Sequence, residues 1–381
     1  MSKAPSIFIL AGEPSADRLG KSLMEACRGK ATFFGMGGDD MIAEGLESIA
    51  PPDALTIMGI TQILKAIPRV SRLANEMIDV IFARRPDAIV TIDSKGFSLR
   101  FAKRLKKRMA REGWHAPIIH LVAPTVWCWG KWRAKPFAKV MDKLLCLFPF
   151  EPPYFTPHGG HAEYVGHPIL ERQPPDKSLA RQALGIDADA SVLVMLPGSR
   201  KSEIKQLMPV MLAAQKRLQA QHHNLQTILP VSSHVAPIIK AYCADHPAIR
   251  LVEGDGQTMT ACAAGDAGII CSGTVTLEAA MTGLAGIVIY KPDWFSMFIG
   301  WLLADLNQIV LANVITAKPL YRLLLWRKVT PDALIDAVNQ TFDHPEMGAK
   351  IAGAMAEVTA YSRENHFGQT SAQAILSSIK R

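Results

Sequence analysis

At 381 residues, with 49% hydrophobic and 20% charged side chains, the chain is too long for one ordinary core and suits two α/β domains of roughly 150 to 200 residues each. A net charge of +8 and a pI near 9.2 favour an anionic partner, whether nucleic acid, a phospholipid surface or a phosphorylated substrate. Six scattered cysteines form no C-x-x-C pair and match no histidine spacing, which excludes a structural zinc and points to a reducing compartment.

The chain enters almost at once into the apolar run Ser6 to Ala11, with neither the apolar core nor the cleavage site of a signal peptide, so a cytoplasmic location is expected. Further runs at Thr32 to Gly35, Ala88 to Ile92, Ile118 to Val122 and Leu144 to Phe148 alternate with helix-period segments such as Leu73 to Arg84 and Phe97 to Arg111. This is the βαβ rhythm of a parallel sheet covered on both faces. The polar, proline-bearing stretch Glu171 to Asp176, just after Val165-Gly166-His167-Pro168, predicts a domain linker. We read residues 1–168 as a first domain and 169–365 as a second, with the terminal helix 366–381 packing back on the first. The rhythm repeats at Val192 to Leu196, Leu225 to Pro230, Ile249 to Val252, Ala267 to Cys271 and Ala285 to Tyr290, and closing helices follow.

Two stretches of the second half organise the chemistry. Leu196-Pro197-Gly198-Ser199-Arg200 and Ser272-Gly273-Thr274-Val275-Thr276-Leu277-Glu278 each follow a buried strand and open a helix, which puts small residues and free backbone N–H groups at one sheet edge. A phosphate suits that edge. Arg200 adds a planar cationic fork, and Glu278 can face a ribose hydroxyl pair, so a nucleotide diphosphate site is expected. Gly35-Met36-Gly37-Gly38 and Leu19-Gly20-Lys21-Ser22 are incomplete fingerprints that support neither NAD nor ATP.

In the first half, the loop Ala11 to Asp17 places Glu13, Ser15 and Asp17 after the first strand, either as ligand-facing groups or as an N-capping Ser15 with Asp17 favouring the helix dipole. Asp93 ends the strand Ala88 to Ile92 and reads as a crevice carboxylate or a loop cap. Trp127, Trp129 and Trp132 lie among Lys131, Arg133 and Lys135, a mixture suited to a sugar, an acyl chain or a lipid headgroup. No nucleic-acid recognition signature accompanies them. His167 is a packed hinge residue or a catalyst. The segments Ile57 to Leu64, flanked by Lys65, Arg69 and Arg72, and Trp294 to Leu303 are too short to span a bilayer and read as interfacial patches or core helices.

Taken in order from residue 11 to residue 278, these motifs, with Ile57-Met58-Gly59, Val126-Trp127-Cys128-Trp129 and Phe148-Pro149-Phe150-Glu151, resemble the lipid-A-disaccharide synthase family. The resemblance implies a GT-B glycosyltransferase: two Rossmann-like doubly wound domains facing across a cleft, working as an inverting, metal-independent enzyme without a cofactor. It implies UDP-2,3-diacylglucosamine as donor, 2,3-diacylglucosamine 1-phosphate as acceptor, the β-1,6-linked lipid A disaccharide 1-phosphate and UDP as products, and a peripheral position on the inner face of a Gram-negative inner membrane. A homo-oligomer stays open. Gly198, Ser199, Arg200, Ser272, Gly273, Thr274, Glu278 and Asn313 match the donor residues. Ser15, Met58, Trp127 and Trp129 are the acceptor or acyl-binding candidates, and Asp93, Glu13 or Asp17 is the base.

The chain departs from the family pattern at several positions. Ile92-Asp93-Ser94-Lys95-Gly96-Phe97 has Gly96 where the family carries an aspartate, Ala16 replaces a glycine, Gly130 stands where an arginine commonly follows the tryptophans, and Leu323 and Trp326 replace a glutamate and a glutamine. A catalytically weakened nucleotide-sugar-binding relative and a UDP-sugar epimerase of the same architecture are the alternative readings.

Overall fold

The computed structural model describes residues 4–50, 60–187, 189–254, 256–291 and 308–379, without the side chains of 60–67. The chain divides into two compact units, Met1–Pro168 with Glu364–Arg381, and Ile169–Arg363. Met58 and the patch from Trp294 to Leu303 lie outside the described residues, and the segment beginning at Ile57 enters them as a helix, Ile60–Arg84.

The first unit is built on seven parallel strands: β1 Ser6–Ala11, β2 Thr32–Met36, β3 Glu47–Ser48, β4 Ala88–Ile92, β5 Ile118–Leu121, β6 Lys143–Cys146 and β7 Ala162–Tyr164. Their order is β3-β2-β1-β4-β5-β6-β7, so the direction of winding reverses between β1 and β4. β4 and β5 are buried along their whole length, which is why they read as largely apolar runs without alternation, broken only by Thr91 and His120. Pairing of Ala11 with Ile92 sets the loops after β1 and β4 side by side at the carboxyl edge. Phe8, Phe34 and Phe101 form the aromatic centre of this unit's core, with ring centroids 5.6 and 6.0 Å from Phe8. The helix Phe367–Leu376 lies against the helix Pro14–Ala26, and the Lys143 ammonium donates to the Ala374 carbonyl at 3.0 Å.

The second unit has six parallel strands: β8 Ser191–Leu196, β9 Leu225–Val231, β10 Ile249–Glu253, β11 Ala267–Cys271, β12 Gly286–Tyr290 and β13 Arg322–Leu325. The order β10-β9-β8-β11-β12-β13 reverses between β8 and β11. Both sheets are thus doubly wound, and each has one topological switch point, the place where open α/β sheets receive ligands. β3, β7 and β13 escaped the sequence reading because they are short strands at sheet edges, only partly covered and so without a continuous apolar run. Among the described residues no helix is long and apolar enough to cross a membrane.

Candidate active site

At the second switch point, Leu196 of β8 pairs with Ile270 of β11, so the two glycine-bearing corners that follow are neighbours. Their contact is direct. Gly198 has φ +96°, and a Cβ there would stand 2.5 Å from Glu203 Oε2 and 3.1 Å from Cys271 Sγ, so both the backbone and the space demand glycine. The helix Lys201–Gln221 starts beyond Arg200, so the N–H groups of its first turn, which have no acceptor within the helix, lie at this corner. Ser199, Gly273 and Thr274 are exposed there.

Two expected donor groups are otherwise engaged. The Ser272 hydroxyl donates to the Ile309 carbonyl at 2.8 Å, and both ends of the Asn313 amide close on the Tyr321 backbone, at 2.8 and 2.9 Å. Asn313 therefore fixes the entry to β13, the strand that carries Leu323 and leads into Trp326. Arg200 is also not a free fork: its Nη1 donates to Glu203 Oε1 at 2.6 Å, and its backbone N to Glu203 Oε2 at 3.3 Å. The Glu203 charge holds the guanidinium pKa up, against the effect of burial. Sequence reasoning missed Glu203, although an acid three residues into a helix is a capping signal. It also missed His234, whose Nε2 lies 2.9 Å from the Ser199 carbonyl, because that contact joins the loops after β8 and β9 across 35 positions.

Glu278 remains available. Its side chain is 14% exposed, its nearest cation is Arg172 at 4.0 Å, and burial raises its pKa, with Arg172 opposing. A largely desolvated carboxylate with open acceptor capacity beside the glycine corners suits a vicinal hydroxyl pair.

The first switch point is built differently. Glu13 occupies the cap position of the helix Pro14–Ala26, but its side chain makes no capping bond; Pro14 opens the helix and Ser15 stands exposed in its first turn, so Ser15 is not the cap. Asp17 is buried and accepts from the backbone N–H groups of Gly38, Asp40 and Met41 at 2.8, 3.1 and 3.2 Å. These bonds make it a structural cap for the segment that opens at Gly38. Asp93 is paired with the Lys95 ammonium at 2.6 Å, both side chains about a quarter exposed. Strain gathers here: Asp93, Ser94 and the β-branched Val122 have φ of +51°, +43° and +72°. Nothing lies within 4 Å of where a Cβ on Gly96 would be.

Behind this edge, His120 is fully buried, its Nδ1 2.8 Å from Thr91 Oγ1 and its Nε2 without a hydrogen-bond partner among the described residues. Burial first, and Lys95 second, pull its pKa down to about 3, so the ring is neutral. Glu151 is 2% exposed and accepts from Trp127 Nε1 at 3.1 Å and from the Leu147 and Phe148 backbone N–H groups at 2.9 and 3.1 Å. Burial pushes its carboxyl up to about 7 against those donors and Lys95. Trp127 is accordingly a buried, hydrogen-bonded anchor and not a presented ring, in contrast to Trp129 and Trp132, 42% and 57% exposed. His167 stacks on Phe148, with centroids 5.5 Å apart.

Two doubly wound parallel sheets, the second with two glycine-bearing corners and a largely buried carboxylate at its switch point, are the architecture of a GT-B glycosyltransferase. The family model described as lipid-A-disaccharide synthetase matches residues 7–375. A lipid-A-disaccharide synthase from Anaeromyxobacter dehalogenans (strain 2CP-C) is 36% identical over 360 residues, covering 93% of this chain and 92% of the relative. The chain belongs to the lipid-A-disaccharide synthase family. Among solved structures, the glycotransferase of kitacinnamycin superposes with a TM-score of 0.65 at 14% identity, covering 99% of this chain and all of that one. The UDP-GlcNAc 2-epimerase from Neisseria meningitidis, solved with UDP-GlcNAc, superposes with a TM-score of 0.63 at 11% identity, covering 99% of this chain and all of that one. Likeness at that identity shows the shared fold.

Proposed function

We propose that the chain transfers 2,3-diacylglucosamine from UDP-2,3-diacylglucosamine to 2,3-diacylglucosamine 1-phosphate, giving the β-1,6-linked disaccharide 1-phosphate and UDP, at the cytoplasmic face of a Gram-negative inner membrane. The observation that carries this reading is the contact between the Gly198 and Cys271 corners at the second switch point, with Glu278 open beside them. Negative charge grows on the departing diphosphate as the glycosidic bond to the donor breaks, so preorganised N–H groups and Arg200 favour that state over the ground state. The acceptor hydroxyl must lose a proton as it attacks. Asp17 is spent on three N–H groups and Asp93 on Lys95, whereas Glu13 is exposed with no partner among the described residues, so Glu13 is the base we assign. The domain boundaries fit this division, with the donor in 169–365 and the acceptor in 1–168.

One observation favours the binding-only alternative: Gly96 and the Asp93–Lys95 pair leave the β4 corner without a free carboxylate. Incubation with both acylated substrates separates the two readings. Disaccharide and UDP are expected; UDP binding without turnover supports the alternative, and release of a free epimerised sugar an epimerase.

A further inference from the structure

We infer that Arg133 is a receptor for a phosphate monoester at the carboxyl edge of the first sheet, and that it sets a preference for a phosphorylated acceptor. The second clause rests on the transfer reading above; the first does not.

Arg133 ends the short turn Lys131–Arg133 that follows Trp129. Gly130 has φ +68°, and a Cβ at that position would stand 2.8 Å from Arg133 Nε, so the absence of a side chain there lets the guanidinium fold back over the loop. Its Nη2 donates to the Trp129 carbonyl at 2.8 Å and the Thr125 carbonyl at 3.2 Å, and its carbon sits 3.8 Å from the Trp129 ring centroid. The cation is held in one place before any ligand arrives.

What holds it is neutral. Arg28, Arg84, Arg108, Arg181, Arg200 and Arg217 each grip a carboxylate, whereas Arg133 has none within ion-pair distance among the described residues, and neither do Lys131 and Lys135 beside it. Its Nε is buried without a partner, and its Nη1 makes no hydrogen bond among the described residues. A desolvated cation with unmet donors is costly, and an anion removes the cost. Burial accordingly lowers the Arg133 pKa, the reverse of carboxylate-bound Arg200. A planar fork stacked on an indole, with the exposed Lys131 and Lys135 close in sequence, matches the three oxygens and double charge of a phosphate monoester better than a single carboxylate. The loop is also tied to the strained corner: Trp127 is bonded to Glu151, whose carboxyl feels the charge of Lys95.

Transfer is measured to the 1-phosphate acceptor and to the same acylated sugar with a free 1-hydroxyl. Arg133→Met is expected to raise KM for the phosphorylated acceptor by about tenfold or more, so that the ratio of the two KM values collapses toward one; Arg133→Lys restores part of it. An unchanged ratio overturns the inference. A second readout needs no transfer: glucosamine 1-phosphate is expected to change tryptophan emission saturably in the wild type and in Trp132→Phe, and not in Arg133→Met. No saturable change in the wild type, or a response to phosphatidylglycerol vesicles without one to glucosamine 1-phosphate, overturns it. If the wild type transfers to neither acceptor, the transfer reading fails and the emission titration alone decides the anion site.

Discussion

The two switch points of this molecule answer the same geometric opportunity with opposite means. In the second unit the corner is made of backbone: Gly198, Gly273 and the first turns of two helices offer N–H groups, and the cation Arg200 is disciplined by a carboxylate three residues away. In the first unit the corner is made of side chains drawn from four loops, with Asp93 tied to Lys95, Glu151 buried under Trp127, and three non-glycine residues held at positive φ. A backbone site is written in a few consecutive residues. A side-chain site is assembled from residues whose partners lie elsewhere in the chain. The difference also predicts fragility, since a backbone corner fails when one glycine is filled and a side-chain corner fails through its buried charge.

The sharpest way to break the comparison is to fill the backbone corner. Gly198→Val places a branched side chain at φ +96° against Glu203 and Cys271, with a strain of about 1–3 kcal/mol before any clash. Calorimetric UDP affinity is expected to fall roughly a hundredfold; wild-type affinity in that variant would mean the corner binds nothing. Arg200→Ala should cost less, about tenfold in UDP affinity, because Glu203 already shares its charge. No loss at all would assign the diphosphate to the N–H groups alone.

On the other side, Glu151 tests the buried charge. Its folded-state pKa of about 7 lies above the ordinary 4.5, so the folded chain holds this proton more tightly than the unfolded chain does. The carboxyl's contribution to stability is whole below about pH 4.5 and is lost as pH rises through about 7. Glu151→Gln, which cannot titrate, is expected to cost about 1–3 kcal/mol through its mismatched donors and to flatten the fall in urea midpoint between pH 5 and pH 8. A variant with the wild-type pH slope would show that another group is responsible. The smallest effect on stability belongs to Gly96→Asp, which meets open space; the unfolding free energy should change by less than about 0.5 kcal/mol. If the missing carboxylate limits turnover, kcat rises in this variant, and an unchanged kcat would leave Glu13 as a sufficient base.

The order of motifs along the chain sufficed for the family, because each short stretch is a strand end followed by a helix start whose chemistry is local: Pro197 to Arg200, Ser272 to Glu278, Ala11 to Asp17. The other ten strands were equally legible, since buried parallel strands are largely apolar runs whatever surrounds them. Tertiary structure alone decided which polar groups were left free. Asp17 and Asn313 read in the sequence as site residues, and the fold turns their side chains onto the backbone of Gly38 and Tyr321; Trp127 read as a binding surface, and the fold bonds its indole to Glu151. The physical reason is that a hydrogen bond or an ion pair depends on distances of about 3 Å, and for these residues the partners are brought to that distance only by folding.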